Sequence, residues 1–537
     1  MQQEVKIIGR GTWLDRVADE VITREKRLGR SLTLIRVESG IAASGTPHIG
    51  NVGDAIRSYG VKMALESAGY HSELIAFSDD FDGLRRVPAG YPAWLRDYIA
   101  HPVAKIPDPF GCHESYGAHA GALLRESLDR LGIRYTFVSG AEAYRKGLLD
   151  KQIKRILENS QLIGKKIREM VGQTKYEQVL PYTPVCGNCG RIYTTHSYSY
   201  DPKTATVSYS CERTELGHGF EEGCGHRGTA RVTGGEGKLA WKSEFAARWA
   251  ALDIRFEAIG KEIADSVRVN DWICENVLNF PPPLHVRYEL FQDKTGRKIS
   301  KSTGNLVTPQ EWLNCASPES LRLLMFKRIV GARNISLDDV PTYMDEFDDL
   351  EDYYFSEKRD ENTLKDARLR GLYEYSSLLN PPKAKRDNVP YRLLAQLASL
   401  APDGRVEDYV VKRLTSYGMI QGTSEDLLKR MRWAFNWAKR EGATAREPRE
   451  FTESVAKSLA EFAERVVACR SGEEVQGLAF EVIKKNGLKP TEFFPAIYSI
   501  LVGSEKGPRL GPYVLDVGGN QVAQRIREAL ASSLKHN

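Results

Sequence analysis

Residues 31–80 constrain the fold more than any other stretch of the chain. SLTLIRV, Ser31 to Val37, is a short β-rich run bounded by polar and glycine residues, which predicts a buried strand. A loop containing Gly40 and Gly45 follows. Thr46 suits an N-cap and Pro47 a first helical residue, so a helix is expected from His48 to about Ala68. HSELIAFSDD then reads as a second strand ending in Asp79 and Asp80. Strand, glycine loop, helix and strand make a βαβ unit, and such a unit implies an α/β fold built on a Rossmann-type parallel sheet. Its first loop lies at the carboxyl end of a strand, where open α/β sheets bind ligands. SGTPHIGN therefore opens a helix at a ligand edge.

At 537 residues the chain exceeds one hydrophobic core, and two to four domains are expected. Apolar residues make up 41% and charged residues 27%, as in soluble globular proteins. The formal charge of +5 is too near balance to mark a nucleic-acid partner, so any polyanion site must be local. MQQEVKIIGRGTW has no apolar core of a signal sequence, and no run reaches the roughly 18 apolar residues of a membrane span, so no membrane partner and a cytoplasmic location are the expectation. Residues 151–176 read as helical, and 177–235, rich in Gly, Cys, Thr and Tyr, as a small metal-stabilised insertion. Beyond about residue 345 the pattern is mostly helical: Leu427, Leu428, Met431, Phe435 and Ala438 recur at helical spacing, as do Val455, Leu459, Phe462 and Val466. An all-α C-terminal domain, 346–537, with a linker over 380–391, is expected after an α/β domain, 1–345.

A helix N-terminus offers unpaired N–H groups to a phosphate. There His48 adds a donor, Gly50 admits a flat ligand and Asn51 adds an amide; an ordinary capped helix is the competing reading. DKTGRKISKSTGN places Lys298, Ser300, Lys301 and Ser302 in a glycine-flanked loop, a cationic arrangement able to hold nucleotide phosphates, although a bare cluster of this kind is commonly a solvated loop. The two motifs in this order favour the nucleotide.

PHIGN and KISKS resemble the HIGH and KMSKS signatures of class I aminoacyl-tRNA synthetases. RVESGIAASGTPHIGN, LIAFSDDFDGLRRVP, IPDPFGCHESYGAHA, AWKSEFAARW, KISKSTGN and GPRLGPYVLD together are similar to class I lysyl-tRNA synthetase, the mainly archaeal form, over essentially the whole chain. The resemblance implies two steps: the lysine carboxylate attacks the α-phosphate of ATP in line, and the 3′-terminal ribose of tRNA(Lys) takes the aminoacyl group. It implies ATP with Mg²⁺, contacts from Pro47, His48, Gly50 and Asn51 to the nucleotide, and stabilisation of departing pyrophosphate by Lys298 and Lys301, flanked by Ser300 and Ser302. Thr303, Gly304 and Asn305 would close the lysine loop or form a plain turn. It also implies a stem-contact connection at about 306–345 and an anticodon-binding cage over 346–537, where KRMRWAFNWAKR mixes basic and aromatic residues; Trp433 and Trp437 could instead be core.

Recognition of lysine needs a carboxylate, and Glu38, Asp79 and Asp80 stand at strand ends; Trp241 could pack on the aliphatic stem. One departure is GKEIAD, with Ile263 where the family has a histidine near the substrates. It motivates a rival reading, a catalytically weakened RNA-binding paralogue, against which intact PHIGN and KISKSTGN weigh; a glutamate-like class I synthetase is a separate alternative, against which the zinc-ligand segment and GPRLGPYVLD weigh.

Eight cysteines are too few for a disulfide scaffold in a chain this long. Asp108, Cys112, His113 and His119 fall within twelve residues and can share a zinc ion, in an insertion at about 97–120. Cys186 and Cys189 form a CxxC knuckle, and two of Cys211, Cys224 and His226 would complete its tetrahedron, with His218 a more remote candidate. Two structural Zn²⁺ ions and a monomeric enzyme are the expectation.

Overall fold

The computed structural model describes residues 7–533 except 44, 218, 294, 297–306, 387, 402–404, 441–450, 504 and 506. The chain forms two compact units. One comprises residues 1–310, 321–337 and 356–381, the other 311–320, 338–355 and 382–537, so the chain passes between them more than once.

The first unit is organised around five parallel strands: β1 (Ile35–Ile41), β2 (Ser72–Ser78), β3 (Thr136–Ser139), β9 (Ile254–Gly260) and β10 (Leu284–Tyr288). Their order is β10-β9-β1-β2-β3. The chain lays down β1, builds outward through β2 and β3, then returns to the other side of β1. The reversal falls between β1 and β9, which is where a doubly wound sheet opens a crevice at its carboxyl edge. Every residue of β9 is buried, as expected of an inner parallel strand covered on both faces. β1 begins at Ile35 and runs to Ile41, four residues later than the apolar run suggested, because Ser31 and Thr33 bond to each other in a turn and pairing with β2 starts at Ile35 against Ser72. The shift brings Glu38 into the strand, opposite Glu257 of β9.

Helix α1 (Ile49–Ser67) packs across β1, β2 and β9. Gly60 permits this, since a Cβ there would lie 2.6 Å from Phe326 and 2.7 Å from Leu14. Between β2 and β3 come two 3₁₀ turns and α2 (Tyr116–Arg130), with Leu84, Leu95, Ile99, Val103 and Ile106 forming a satellite core. Between β3 and β9 the chain forms helices over Asp150–Glu158 and Ser160–Val171, then a stem of β4 (Tyr182–Pro184) paired antiparallel with β8 (Gly237–Leu239). The stem carries an antiparallel sheet of β5 (Thr195–Asp201), β6 (Thr206–Cys211) and β7 (Arg227–Arg231). Helix α3 (Trp241–Leu252) follows β8 directly and packs against α4 (Ala264–Asn276).

The second unit is helical throughout its described secondary structure. In its helix Glu425–Ala438 the buried side is Leu427, Arg430, Met431, Ala434 and Trp437, rotated from the expected stripe because Arg430 turns inward to pair with Asp348. Trp437 is therefore core, edge-on to Tyr391. Both glycines of GPRLGP are dictated by packing: a Cβ on Gly507 would lie 2.3 Å from the Tyr498 ring, and one on Gly511 2.2 Å from the Gly472 carbonyl oxygen. Gly511→Ala is expected to lower stability by about 1–3 kcal/mol, the usual cost of overpacking. Gly477→Ala, where a Cβ meets nothing within 4 Å, should be neutral or stabilising by up to about 1 kcal/mol. Urea midpoints of the two variants against the parent chain check this.

Candidate active site

The turn into α1 is shaped by its own motif. His48, not Thr46, is the N-cap: its backbone is extended (φ −114°, ψ 168°), its Nδ1 accepts from Gly50 N at 3.1 Å, and Asn51 Oδ1 accepts from His48 N at 3.0 Å. Pro47 accordingly lies outside the helix, just before the cap. The reciprocal cap fixes the histidine ring over the first turn, and a Cβ on Gly50 would come within 2.8 Å of it, so Gly50 is required by the cap as well as by any flat ligand. Ile49 N donates to Val307 O at 2.9 Å, which ties the helix start to the residue two positions after Asn305. Lys298, Ser300, Lys301 and Ser302, together with Thr303, Gly304 and Asn305, lie outside the described residues.

A cavity of about 120 Å³ opens beside this turn, lined by His48, Gly50, Asn51, Asp54, Glu262 and Tyr288 among others. The Tyr288 hydroxyl donates to Asp54, and the Arg57 guanidinium stacks over the Tyr288 ring at 4.1 Å. Burial raises the Asp54 carboxyl to about 7, against the opposing effects of the Tyr288 hydrogen bond and Arg57. Ile263 turns away from this cavity's lining and packs on the hydrophobic core, while its neighbour Glu262 faces the cavity.

Across the middle of β1 and β9 and the carboxyl end of β2 a buried charge cluster forms around Arg248 of α3. Its Nη1 donates to Asp79 Oδ1 at 3.0 Å, its Nη2 lies 2.8 Å from Glu38 Oε1 and 3.9 Å from Glu257 Oε1, and its plane covers Phe77 at 4.5 Å. The Glu38 contact is an ion pair without hydrogen-bond alignment, and neither Glu38 oxygen has an aligned partner among the described residues. Lys238 of β8 forms the second cation: it pairs with Asp82 and lies 2.8 Å from Glu244 Oε2, whose other oxygen accepts from Tyr144 at 2.8 Å. Trp241 Nε1 donates to Asp82 Oδ2 at 3.1 Å.

Two cations thus face five carboxylates, Glu38, Asp79, Asp82, Glu244 and Glu257. Burial raises Glu38 to about 8 and Asp79 to about 7 despite Arg248. Asp79 and Asp82 keep 16% and 14% of their side-chain surface, so these two can meet a ligand. Asp80 does not join them: its Oδ1 accepts from Ala141 N at 2.7 Å, which seats the helix after β3.

Two groups have metal-binding geometry. Cys186, Cys189, Cys211 and Cys224 bring their sulfurs within 4.8 Å of one another, with Sγ–Sγ separations of 3.6 Å (Cys186–Cys224) and 3.8 Å (Cys189–Cys211). Zinc–thiolate bonds of about 2.3 Å give a tetrahedral edge of roughly 3.8 Å, so the donor set fits Zn²⁺. His226 is not part of the group: its carbonyl accepts from Cys211 N at the start of β7, and its ring faces Tyr209 at 6.0 Å. His218 lies outside the described residues. Asp108, Cys112, His113 and His119 form the second group, also within 4.8 Å. Cys112 Sγ is 3.1 Å from His113 Nδ1 and 3.2 Å from His119 Nδ1, while Asp108 Oδ2 accepts from the backbone N–H of Cys112 and His113 at 2.8 Å. That loop lets adjacent Cys and His converge, and its mixed donors suit zinc.

The model of the class I (K) tRNA synthetases matches residues 11–378. A lysine–tRNA ligase of Cenarchaeum symbiosum (strain A) is 48% identical over 97% of this chain and 99% of its own length. This chain belongs to the class I (K) tRNA synthetases. A lysine–tRNA ligase of Methanocaldococcus jannaschii is 31% identical over 96% of the chain and 99% of its own length. Among solved structures, a glutamate-tRNA synthetase from Elizabethkingia anophelis aligns over 93% of this chain at 13% identity with a TM-score of 0.34.

Several groups of the charge cluster had no sequence signal strong enough to single them out. Asp82, Lys238, Glu244, Arg248 and Glu257 are scattered over about 175 residues and meet only through the fold; the one available hint was the charged residues inside otherwise apolar runs such as AWKSEFAARW. Metal analysis of the protein purified without chelator should give two zinc ions per chain. Cys189→Ser should give one, and lower Tm by roughly 2–4 °C for each kcal/mol of binding energy lost. An unchanged metal content would contradict the assignment.

Proposed function

We propose that this synthetase activates lysine with ATP and transfers it to tRNA(Lys). The observation that carries the reading is the surplus of carboxylates at the end of β2, where Asp79 and Asp82 remain reachable. An ammonium group there would complete a charge balance that two cations leave unfinished. A glutamate side chain would meet the opposite. The names of the curated relatives, lysine–tRNA ligases at 48% and 31% identity over nearly the whole chain, support the same substrate.

In this reading the lysine ε-ammonium rests on Asp79 and Asp82, its stem lies along Trp241, and its carboxylate points to the N-terminus of α1. His48, held by its cap, and Asn51 contact the triphosphate, with Gly50 beneath the adenine side of the cavity. Lys298 and Lys301 come to the β- and γ-phosphates and stabilise charge on the leaving pyrophosphate, while Mg²⁺ enters with ATP. The lysine carboxylate attacks the α-phosphorus, the bond to the bridging oxygen breaks, and no covalent enzyme intermediate forms. Acceleration then comes from alignment and from fixed positive charge facing the phosphate oxygens. Both metal groups are structural, since protein supplies every coordination position.

For tRNA, the helical second unit supplies a cavity of about 860 Å³ lined by Phe494, Tyr498 and Arg509, together with Ser471 and Gly472 at a helix start. Aromatic faces beside a cation suit a splayed anticodon base. Among the described residues no helix is long and apolar enough to cross a membrane. A cytoplasmic monomer of 60.3 kDa is the proposed form.

ATP–pyrophosphate exchange, run with each amino acid and with or without tRNA, tests the function. Exchange with lysine alone is expected, and His48→Ala or Lys301→Ala should lower it about 10²–10³-fold. Exchange with glutamate would select the glutamate-like branch, and tight tRNA binding without any exchange would select a non-catalytic paralogue. A second expectation concerns pH. The carboxyls of Asp79 and Glu38 sit at about 7 and 8 in the empty pocket, and an ammonium favours their ionised forms. Lysine binding should therefore release protons and tighten as pH rises through about 6 to 8, then level off. Calorimetry at pH 6.5 in two buffers of different ionisation heat measures the release directly.

A further inference from the structure

The pocket for a cationic amino acid already contains a lysine of the protein. Lys238 is 2% exposed, and its ammonium lies between Asp82 and Glu244, two of the five carboxylates of the cluster. Both of these carboxylates are held from other directions as well, Asp82 by the Trp241 indole at 3.1 Å and Glu244 by the Tyr144 hydroxyl at 2.8 Å. Tyr144 in turn accepts from Leu239 N at 3.0 Å, next to Lys238 in β8. The ammonium is thus fixed on a paired strand, behind Asp82, whose own carboxylate keeps a 14% exposed edge.

We propose that Lys238 determines specificity by occupying, from within the protein, the subsite between Asp82 and Glu244 that a guanidinium would need. Two carboxylates set to receive a planar fork of N–H donors are the natural partner of arginine. With Lys238 between them, Glu244 has one oxygen bonded by Tyr144 and the other in the ion pair, and Asp82 has only its outer edge to offer, alongside Asp79. What remains accommodates one compact ammonium. Arginine is excluded by a filled site and by a like charge. The inference rests on the reading of this pocket as the lysine site.

The test compares lysine and arginine in two variants of the full-length protein. Lys238→Met removes the ammonium and retains an unbranched side chain. Lys238→Met with Glu244→Gln removes one charge of each sign, which leaves one carboxylate, Asp82, instead of two without the lysine if the single variant folds poorly. Lysine-dependent pyrophosphate exchange gives KM for lysine, and its inhibition by L-arginine gives a binding constant for arginine. In the parent enzyme arginine should bind far more weakly than lysine. In Lys238→Met the preference should fall by at least roughly tenfold, with arginine gaining affinity in absolute terms, and in the double variant, which keeps only the Asp82 carboxylate of that site, the fall should be smaller. Adding methylammonium, which carries the missing group, should restore part of the preference in Lys238→Met. A purely structural lysine predicts the contrary: loss of lysine binding with arginine weakened equally, or an unchanged ratio in a folded variant, and either overturns the proposal. Absence of lysine-dependent exchange in the parent enzyme would instead remove the lysine reading on which it rests.

Discussion

The site depends on one buried guanidinium. Arg248 reaches from α3 to three adjacent strands and meets Glu38 on β1, Asp79 after β2 and Glu257 on β9. Removing a partner from such a group leaves uncompensated buried charge, which is typically worse than never having built it. The crevice at the reversal of strand order is therefore held at a fixed width by charge as well as by hydrogen-bonded pairing. The same cluster is short of positive charge. A parallel sheet that could have closed with apolar residues instead closes around an acidic cluster, and in the proposed reading that cluster takes the ammonium of the substrate while the N-terminus of α1 takes its carboxylate.

The insertion between β3 and β9 takes part in this arrangement through its stem. β8, paired with β4, both closes the insertion that carries the four cysteines and delivers Lys238 to Asp82 and Glu244; α3 begins two residues after β8 ends and delivers Trp241, Glu244 and Arg248. The knuckle itself is tied to the segment that follows β2: Ile192 N donates to Ala100 O at 2.7 Å, and His101 Nε2 lies 2.8 Å from Cys189 O. Cross-links of this kind make the four sulfurs part of the scaffold around the pocket.

Local signals in the sequence foretold the framework well. The βαβ unit over 31–80, the helices near 151–176 and the helical C-terminal region were legible because apolar spacing and glycine loops report directly on strands and helices. The cap was misplaced by two residues since Thr46 looks the better cap by type, whereas a histidine whose ring nitrogen bonds Gly50 is a rarer solution. The acidic pocket was legible only in part. Asp79 was visible as a strand-end carboxylate; Glu38, expected at a strand end too, lies in the middle of β1, and Asp80, the equal of Asp79 by position, is spent on the turn after β3. Asp82 and Lys238 are 156 residues apart and carry no mark of partnership until the stem folds back. Likewise, spacing could not choose among Cys211, Cys224 and His226, because the choice is made by the hairpin that carries Cys224 back beside Cys186 and turns His226 toward Tyr209.

The most direct test is a crystal structure with a non-hydrolysable lysyl-adenylate analogue, in which a sulfamoyl group replaces the reactive phosphate. The account places the ε-ammonium roughly 3 Å from the carboxylates of Asp79 and Asp82 and the sulfamoyl group at the α1 N-terminus beside His48. An analogue seated with its ammonium in solvent, or anywhere away from the Arg248 and Lys238 cluster, would contradict it.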